Sequence, residues 1–257
     1  MDIELKERFI SLWAKYFNGV PLPIVFFYTD KERIGQKVKP PKSGHRCVLA
    51  DIFKVIKGKS LCFDEHSFGC FGGKKYLGYE TRFMPDFEYF LSCGIPGRLE
   101  GERYKKTPQL VEEYMKTVPI LKAPSKNIVF KRWDMLEADD EPDVAIFFGQ
   151  PDTISGLFTL ANFDKKDLNS VIAPFGAGCA TIVLYPYLEK SSENPRAVLG
   201  MFDVSARPCI PSQMFSFAMP ANRLFEMIGN MEESFLTTPS WEKLRKRISN
   251  DQKTFKK

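Results

Sequence analysis

Five short apolar runs, set between amphipathic segments, constrain this chain more than any other feature. They are IVFFY (24–28), NIVFKRW (127–133), DVAIFFG (143–149), AVLGMFD (197–203) and QMFSFAMP (213–220). Each has the length and the β-branched and aromatic content of a buried strand. SLCFD (60–64) reads as a shorter one. Helical spacing separates them. Ile3, Phe9, Ile10, Trp13 and Phe17 mark an amphipathic first helix, and CVLADIFKVIKG runs as a helix to Gly58, a residue suited to close it. Further helices are predicted at DFEYFLS, PQLVEEYMKTV, QPDTISGLFTLANF (capped near Pro151 and Asp152), ANRLFEMIGNMEESF and SWEKLRKRIS. AGCATIVLYPYLE is predicted as a helix kinked at Pro186. Interleaved strands and helices imply an α/β or α+β fold with one mixed central sheet.

The polar EADDEPD stretch is too short to divide the chain, so residues 1–257 are expected to form a single domain. No internal repeat is legible. The basic stretch ERIGQKVKPPKSGH (32–45) reads as a loop and a candidate lid. No apolar run approaches the roughly 18 residues of a membrane span, and the charged N-terminus lacks the pattern of a signal peptide. The expectation is a cytoplasmic protein with no membrane partner. A net charge of +5, part of it in the LRKRISNDQKTFKK tail, is too mild to indicate nucleic acid.

Six cysteines carry the chemical interest: Cys47, Cys62, Cys70, Cys93, Cys179 and Cys209, with no CxxC pair among them. In a cytoplasmic chain they are not expected to form disulfides. The ordinary role of each is a small buried apolar residue. Cys70 in GCFGGKKYLG and Cys179 in PFGAGCATIV lie beside glycines at predicted helix starts. Free N–H groups there favour a thiolate, lowering the pKa. Cys62, His66 and Cys70 recur at intervals of four, a donor set for zinc or an iron–sulfur centre, although no established zinc or ferredoxin spacing is met.

Other readings stand beside the metal. Gly72 and Gly73, followed by Lys74 and Lys75, could cradle an anionic group, or supply positive φ in a tight turn and allow close packing. Asp203 and Arg207 could bind a polar ligand group or pair with each other, and pairing is the expectation. Cys179 is the candidate nucleophile of a thiol-dependent enzyme, with only His45 and His66 as available imidazole bases.

Cys47 with the following DIFKVIKGK segment, CFGGKKYLG (70–78), PDVAIFFGQPDTISGLF (142–158), GCATIVLYPY (178–187) and the Asp203–Arg207 stretch resemble, in that order, a prokaryotic family known as domain of unknown function 169. The likeness covers about residues 46–233. It implies an architecture and no established activity. It also implies that Cys47, Cys70 and Cys179 converge, one short of a four-thiolate site, the fourth ligand coming from Cys62, Cys93, Cys209 or His66. The metal set expected is Cys47, Cys70 and Cys179 closed by Cys62 or His66. Cys209 is set aside because ARPCIP replaces a more glycine-rich loop of the family. The functional expectation is a small ligand or a metal or iron–sulfur centre at the glycine-flanked cysteines. An anion-binding module without chemistry is the alternative, and catalysis through Cys179 the weaker one.

Overall fold

A computed structural model of the chain describes residues 1–32 and 34–254, with side chains followed to residue 249. The end of the basic tail (255–257) and Arg33 of the 32–45 segment lie outside the described residues. Helix α1 (Ile3–Tyr16) starts where Asp2 Oδ1 accepts from the N–H groups of Glu4 and Leu5, and it buries Phe9, Leu12, Trp13 and Tyr16. β1 (Ile24–Thr29) follows, then a two-residue β2 (Gln36–Lys37) inside the segment expected to be wholly loop. α2 (Val48–Ile52) tightens into a 3-10 turn, Phe53–Lys57, that ends at Gly58 with φ 82°. Glycine reaches that left-handed conformation without strain.

β3 (Leu61–Phe63), α3 (Phe71–Tyr76), α4 (Phe87–Phe90) and α5 (Pro108–Thr117) precede β4 (Asn127–Arg132). β5 (Val144–Gly149), α6 (Pro151–Asn162) and β6 (Val171–Ile172) open the second half. The predicted helix at 177–189 is a π turn, Ala180–Leu184, running into α7 (Tyr185–Glu189). Pro186 lies in the first turn of α7, where a missing N–H is tolerated, so it does not break the helix. β7 (Ala197–Gly200), β8 (Phe215–Pro220), α8 (Ala221–Asn230) and α9 (Pro239–Thr254) complete the chain. Asp152 does not cap α6. Its carboxylate pairs with Arg247, and Gln150 occupies the cap position without a side-chain bond.

The eight strands form one mixed sheet in the order β2-β3-β4-β1-β5-β8-β7-β6. Successive residues of β5 point to opposite faces, and all six are buried. Ala145 and Phe147 enter a core with α1, α6, α8 and α9, while Val144, Ile146 and Phe148 enter a second core with α2 and the 179–184 turn. A sheet covered on both faces makes its central strands apolar throughout rather than alternating.

The sheet is internally duplicated. From each edge inward the strands run β2-β3-β4-β1 and β6-β7-β8-β5, and in both sets the edge pair is parallel and the other pairs antiparallel. The registers agree as well. Ile24↔Arg132 to Thr29↔Asn127 matches Val144↔Pro220 to Gly149↔Phe215, and Leu61↔Phe130 matches Val198↔Ala218. Trp133 N–H donates to Pro23 O at 2.9 Å, and Ala221 N–H donates to Asp143 O at the same distance. The halves meet where β1 pairs antiparallel with β5, Val25 opposite Ala145. The repeat escapes sequence comparison because matched strands share apolarity and little else, and their connections differ. β3 and β4 are joined through Asp64–Lys126, but β7 and β8 through Met201–Met214 only.

α9 is fastened by Trp241, whose Nε1 donates to Tyr16 O at 3.0 Å and whose ring lies over Gly156 of α6. A Cβ on Gly156 would stand 2.4 Å from Trp241 Cη2. Gly156→Ala is expected to destabilise the protein by about 1–3 kcal/mol through overpacking. Urea denaturation measures this, and an unchanged midpoint would contradict the packing described.

Candidate functional site

Three cysteines stand at helix starts on one face of the sheet. Cys47 precedes α2, Cys70 precedes α3 and Cys179 precedes the π turn. Close backbone approach brings these starts together. A Cβ on Gly73 would meet Cys70 Sγ at 2.8 Å and Val48 Cβ at 2.9 Å, so glycine is needed for α3 to pack on α2. A Cβ on Gly178 would meet Leu49 Cδ1 at 2.8 Å and Ala206 Cβ at 3.1 Å, which draws in the loop after β7. Gly72 and Gly73 therefore do not supply positive φ as expected. They are helical, and the left-handed residue is Gly78, φ 89°. Gly72 has only Tyr76 ring atoms near its missing Cβ, 3.8 Å away.

The sulfurs of Cys47 and Cys70 both act electrostatically on that of Cys179, and the thiol of Cys209 lies beside that of Cys47. The fourth cysteine of the group is thus Cys209, which the sequence argument had set aside. Cys62 belongs to the opposite core and has Asp64 and Lys37 as its charged neighbours. His66 is exposed, with Nε2 3.0 Å from Glu65 Oε1. The interval of four failed as a guide because Cys62 lies in a strand and the chain turns at Asp64–Ser67, so no helix stacks the three side chains. Cys93 is exposed in another loop.

The four grouped cysteines respect the duplication. Cys47 and Cys179 each begin the helical crossover from an edge strand to its parallel neighbour, β2 to β3 and β6 to β7. Cys70 and Cys209 each follow that neighbour, in the connections β3 to β4 and β7 to β8. Cys179 is buried and the other three are half-buried. Among the described residues, no three cysteine sulfurs lie within 4.8 Å of one another. The one compact donor set meeting that limit is Glu137, Asp139 and Asp140, where Asp140 is bonded to the buried Lys131.

Burial, not the helix starts, sets the thiol chemistry. Cys47 is pushed up to about 11, mainly because burial penalises the thiolate, with the N–H groups of Leu49 and Ala50 opposing and Cys209 adding to the rise. Cys70 is raised by burial despite donation from Val48 N–H and from Gly73 N–H at 3.2 Å. Cys179 is raised further still by burial and by Cys70, Cys47 and Asp203. The expected lowering at helix starts is overturned, because removing the thiolate from water outweighs one or two N–H donors.

The remaining predicted residues are largely engaged within the protein. Asp203 and Arg207 do not pair. Asp203 Oδ2 accepts from Gly178 N–H at 3.0 Å and Oδ1 from Ser205 Oγ at 2.8 Å, with Tyr104 Oη 3.5 Å away. Arg207 is turned to the carbonyls of Met201, Ser212 and Met214 and lies over the Phe215 ring. Lys75 is buried, with Nζ donating to Thr81 O at 2.7 Å and sitting over Phe83. Lys74 is half-buried and makes no side-chain hydrogen bond or ion pair among the described residues.

Fold and site together define a class: an α/β protein with a duplicated mixed sheet and four grouped cysteines, two from each half. The chain belongs to the uncharacterised ArCR family, domain of unknown function 169, whose model matches residues 18–230. The match reaches further towards the N-terminus than the motif likeness and takes in β1. No curated protein and no solved structure matches the chain. Among the described residues, no helix is long and apolar enough to cross a membrane.

The thiol shifts have a consequence for stability and reactivity. A folded pKa near 11 at Cys47 lies above the unfolded value of about 8.5. The folded state holds the proton more tightly, so this stabilisation is complete below about pH 8.5 and is lost as pH rises through 11. Alkylation of Cys47 should keep accelerating beyond pH 10, with exposed Cys93 modified first at neutral pH. Peptide mapping after timed alkylation measures both. A Cys47 rate that levels off below pH 8 would contradict the burial argument.

Proposed function

We propose that the protein holds an iron–sulfur cluster through Cys47, Cys70, Cys179 and Cys209. The observation that carries this reading is the gathering of four cysteines from equivalent positions of the two half-sheets. Four thiolates are the usual complement of such clusters. A tetrahedral zinc site, with bonds of about 2.3 Å, would hold its sulfurs roughly 3.8 Å apart. Among the described residues no three of these sulfurs come within 4.8 Å of one another, a spacing that suits a centre whose separate irons each take their own ligands better than one tetrahedral ion. The N–H groups of Gly73 and Val48 at Cys70, and of Leu49 and Ala50 at Cys47, would donate to the ligating sulfurs and raise the reduction potential.

When bound, a cluster supplies electron transfer or a structural crosslink between the two halves. Loading it requires neutral thiols to release protons, which the cations do by charge compensation. Catalysis by Cys179 draws less support. Its thiol is buried with its pKa raised, and no histidine is among the groups acting on it. An anion cradle at the glycines also draws less support, since Gly73 N–H, Lys75 and Arg207 already have internal partners.

Anaerobic purification followed by iron, zinc and sulfide analysis tests the reading. Stoichiometric iron and sulfide with broad visible absorption are expected. Cys209→Ser should lose most of the iron while Cys62→Ser keeps it. An iron-free or zinc-loaded protein would sink the proposal, as would equal iron in the two variants.

A further inference from the structure

A cleft of about 1100 Å³ lies at the β2–β3 edge, away from the grouped cysteines. Its walls come from β2, the Asp64–His66 turn, Tyr79, and the segment 122–127. That volume is at the upper end of small-molecule pockets. The far wall is fixed in place rather than loosely draped. Gly78, at φ 89°, lets Ala123 come close enough for its N–H to donate to Gly78 O at 2.8 Å, where a Cβ would stand 2.7 Å from Ala123 N. Lys126 N–H donates to Asp30 Oδ1 at 2.9 Å, and Asn127 Nδ2 to Lys31 O at 3.2 Å.

The charges around the cleft are unevenly committed. Asp64 is held by Lys37 at 2.5 Å and by Ser67 Oγ at 2.8 Å, Glu65 faces His66, and Asp30 receives Lys126 N–H, while Glu32 makes no ion pair among the described residues. The side-chain ammonium groups of Lys122 and Lys126 have no carboxylate partner among the described residues. Tyr79 is half-buried and lines the cleft, while its hydroxyl, beside Cys62 and Asp64, is closed off from solvent without a hydrogen-bond partner among the described residues.

We propose that this cleft binds an organic anion of nucleotide size. Its anionic group would lie between Lys122 and Lys126, and its body against Ile34, Pro124 and the Tyr79 ring. This assignment does not depend on the cluster.

Isothermal titration of the purified protein with ADP and NADH, with adenosine as the uncharged comparison, tests it. Saturable one-to-one binding of ADP or NADH is expected, at least tenfold tighter than adenosine and weakened by added salt. Lys122→Glu with Lys126→Glu, both exposed, should weaken that binding at least tenfold without shifting the melting temperature. Cys209→Ser should bind as tightly as the parent, which separates this site from the cysteines. No saturable heat with either nucleotide would overturn the proposal. So would adenosine binding as tightly as ADP, or binding indifferent to the lysine pair.

Discussion

The antiparallel pairing of β1 with β5 is the constraint on which everything else rests. It joins two half-sheets of the same order and register into one sheet, and it lies where both faces are covered. Val25 and Ala145 face one core, and Ile24, Phe26, Val144 and Ile146 the other. Because side chains alternate along a strand, a slip of one residue at this seam would exchange the two faces of a whole half. It would send the α2 and π-turn starts away from each other. The cysteine grouping is therefore a consequence of sheet register before it is a matter of loop geometry.

At those helix starts two effects oppose each other on the same atoms. Backbone N–H groups favour a negative sulfur, while burial disfavours it, and in the free protein burial prevails at Cys47, Cys70 and Cys179. In the proposed site a bound cation would reverse the balance, since its charge would offset the loss of hydration and leave the N–H donors as additional stabilisation. On that proposal, the arrangement that makes these thiols poor nucleophiles alone would suit them as ligands. The Asp203 carboxylate, held by Gly178 N–H and Ser205, keeps the Cys209 loop against the Cys179 turn.

Element type was legible in the sequence wherever periodicity was strong. The runs around β1, β4, β5 and β8 and the patterns of α1, α6 and α8 mark their elements to within a few residues. The two edge strands were not legible, because two-residue strands such as Gln36–Lys37 carry no pattern. The convergence of Cys47, Cys70 and Cys179 followed from the family likeness, whereas Cys209 needed the three-dimensional register of β7 against β8. A spacing of four misled at Cys62 and His66 because spacing has meaning only once the element is known. The burial that raises the thiol pKa values is a tertiary property, and a glycine beside a cysteine does not report it. Gly73 and Gly178 were informative after all, as points of close approach rather than as turns.

Duplication and divergence divide the molecule's surfaces between them. The cysteine group draws on connections that both halves possess, so each half contributes one crossover cysteine and one from the following loop. One wall of the cleft draws on Gly78, Tyr79 and residues 122–126 of the β3–β4 connection, whose counterpart in the second half is only Met201–Met214. A feature built from the shared framework draws on both halves, and one walled by the longer connection lies at one edge alone. The long connection also returns to the shared region, where Tyr104 accepts from Ser205 N–H at 2.8 Å and comes within 3.5 Å of Asp203. The long connection that walls the cleft thus also braces the Cys209 loop, giving the two regions one physical link through Asp64–Lys126.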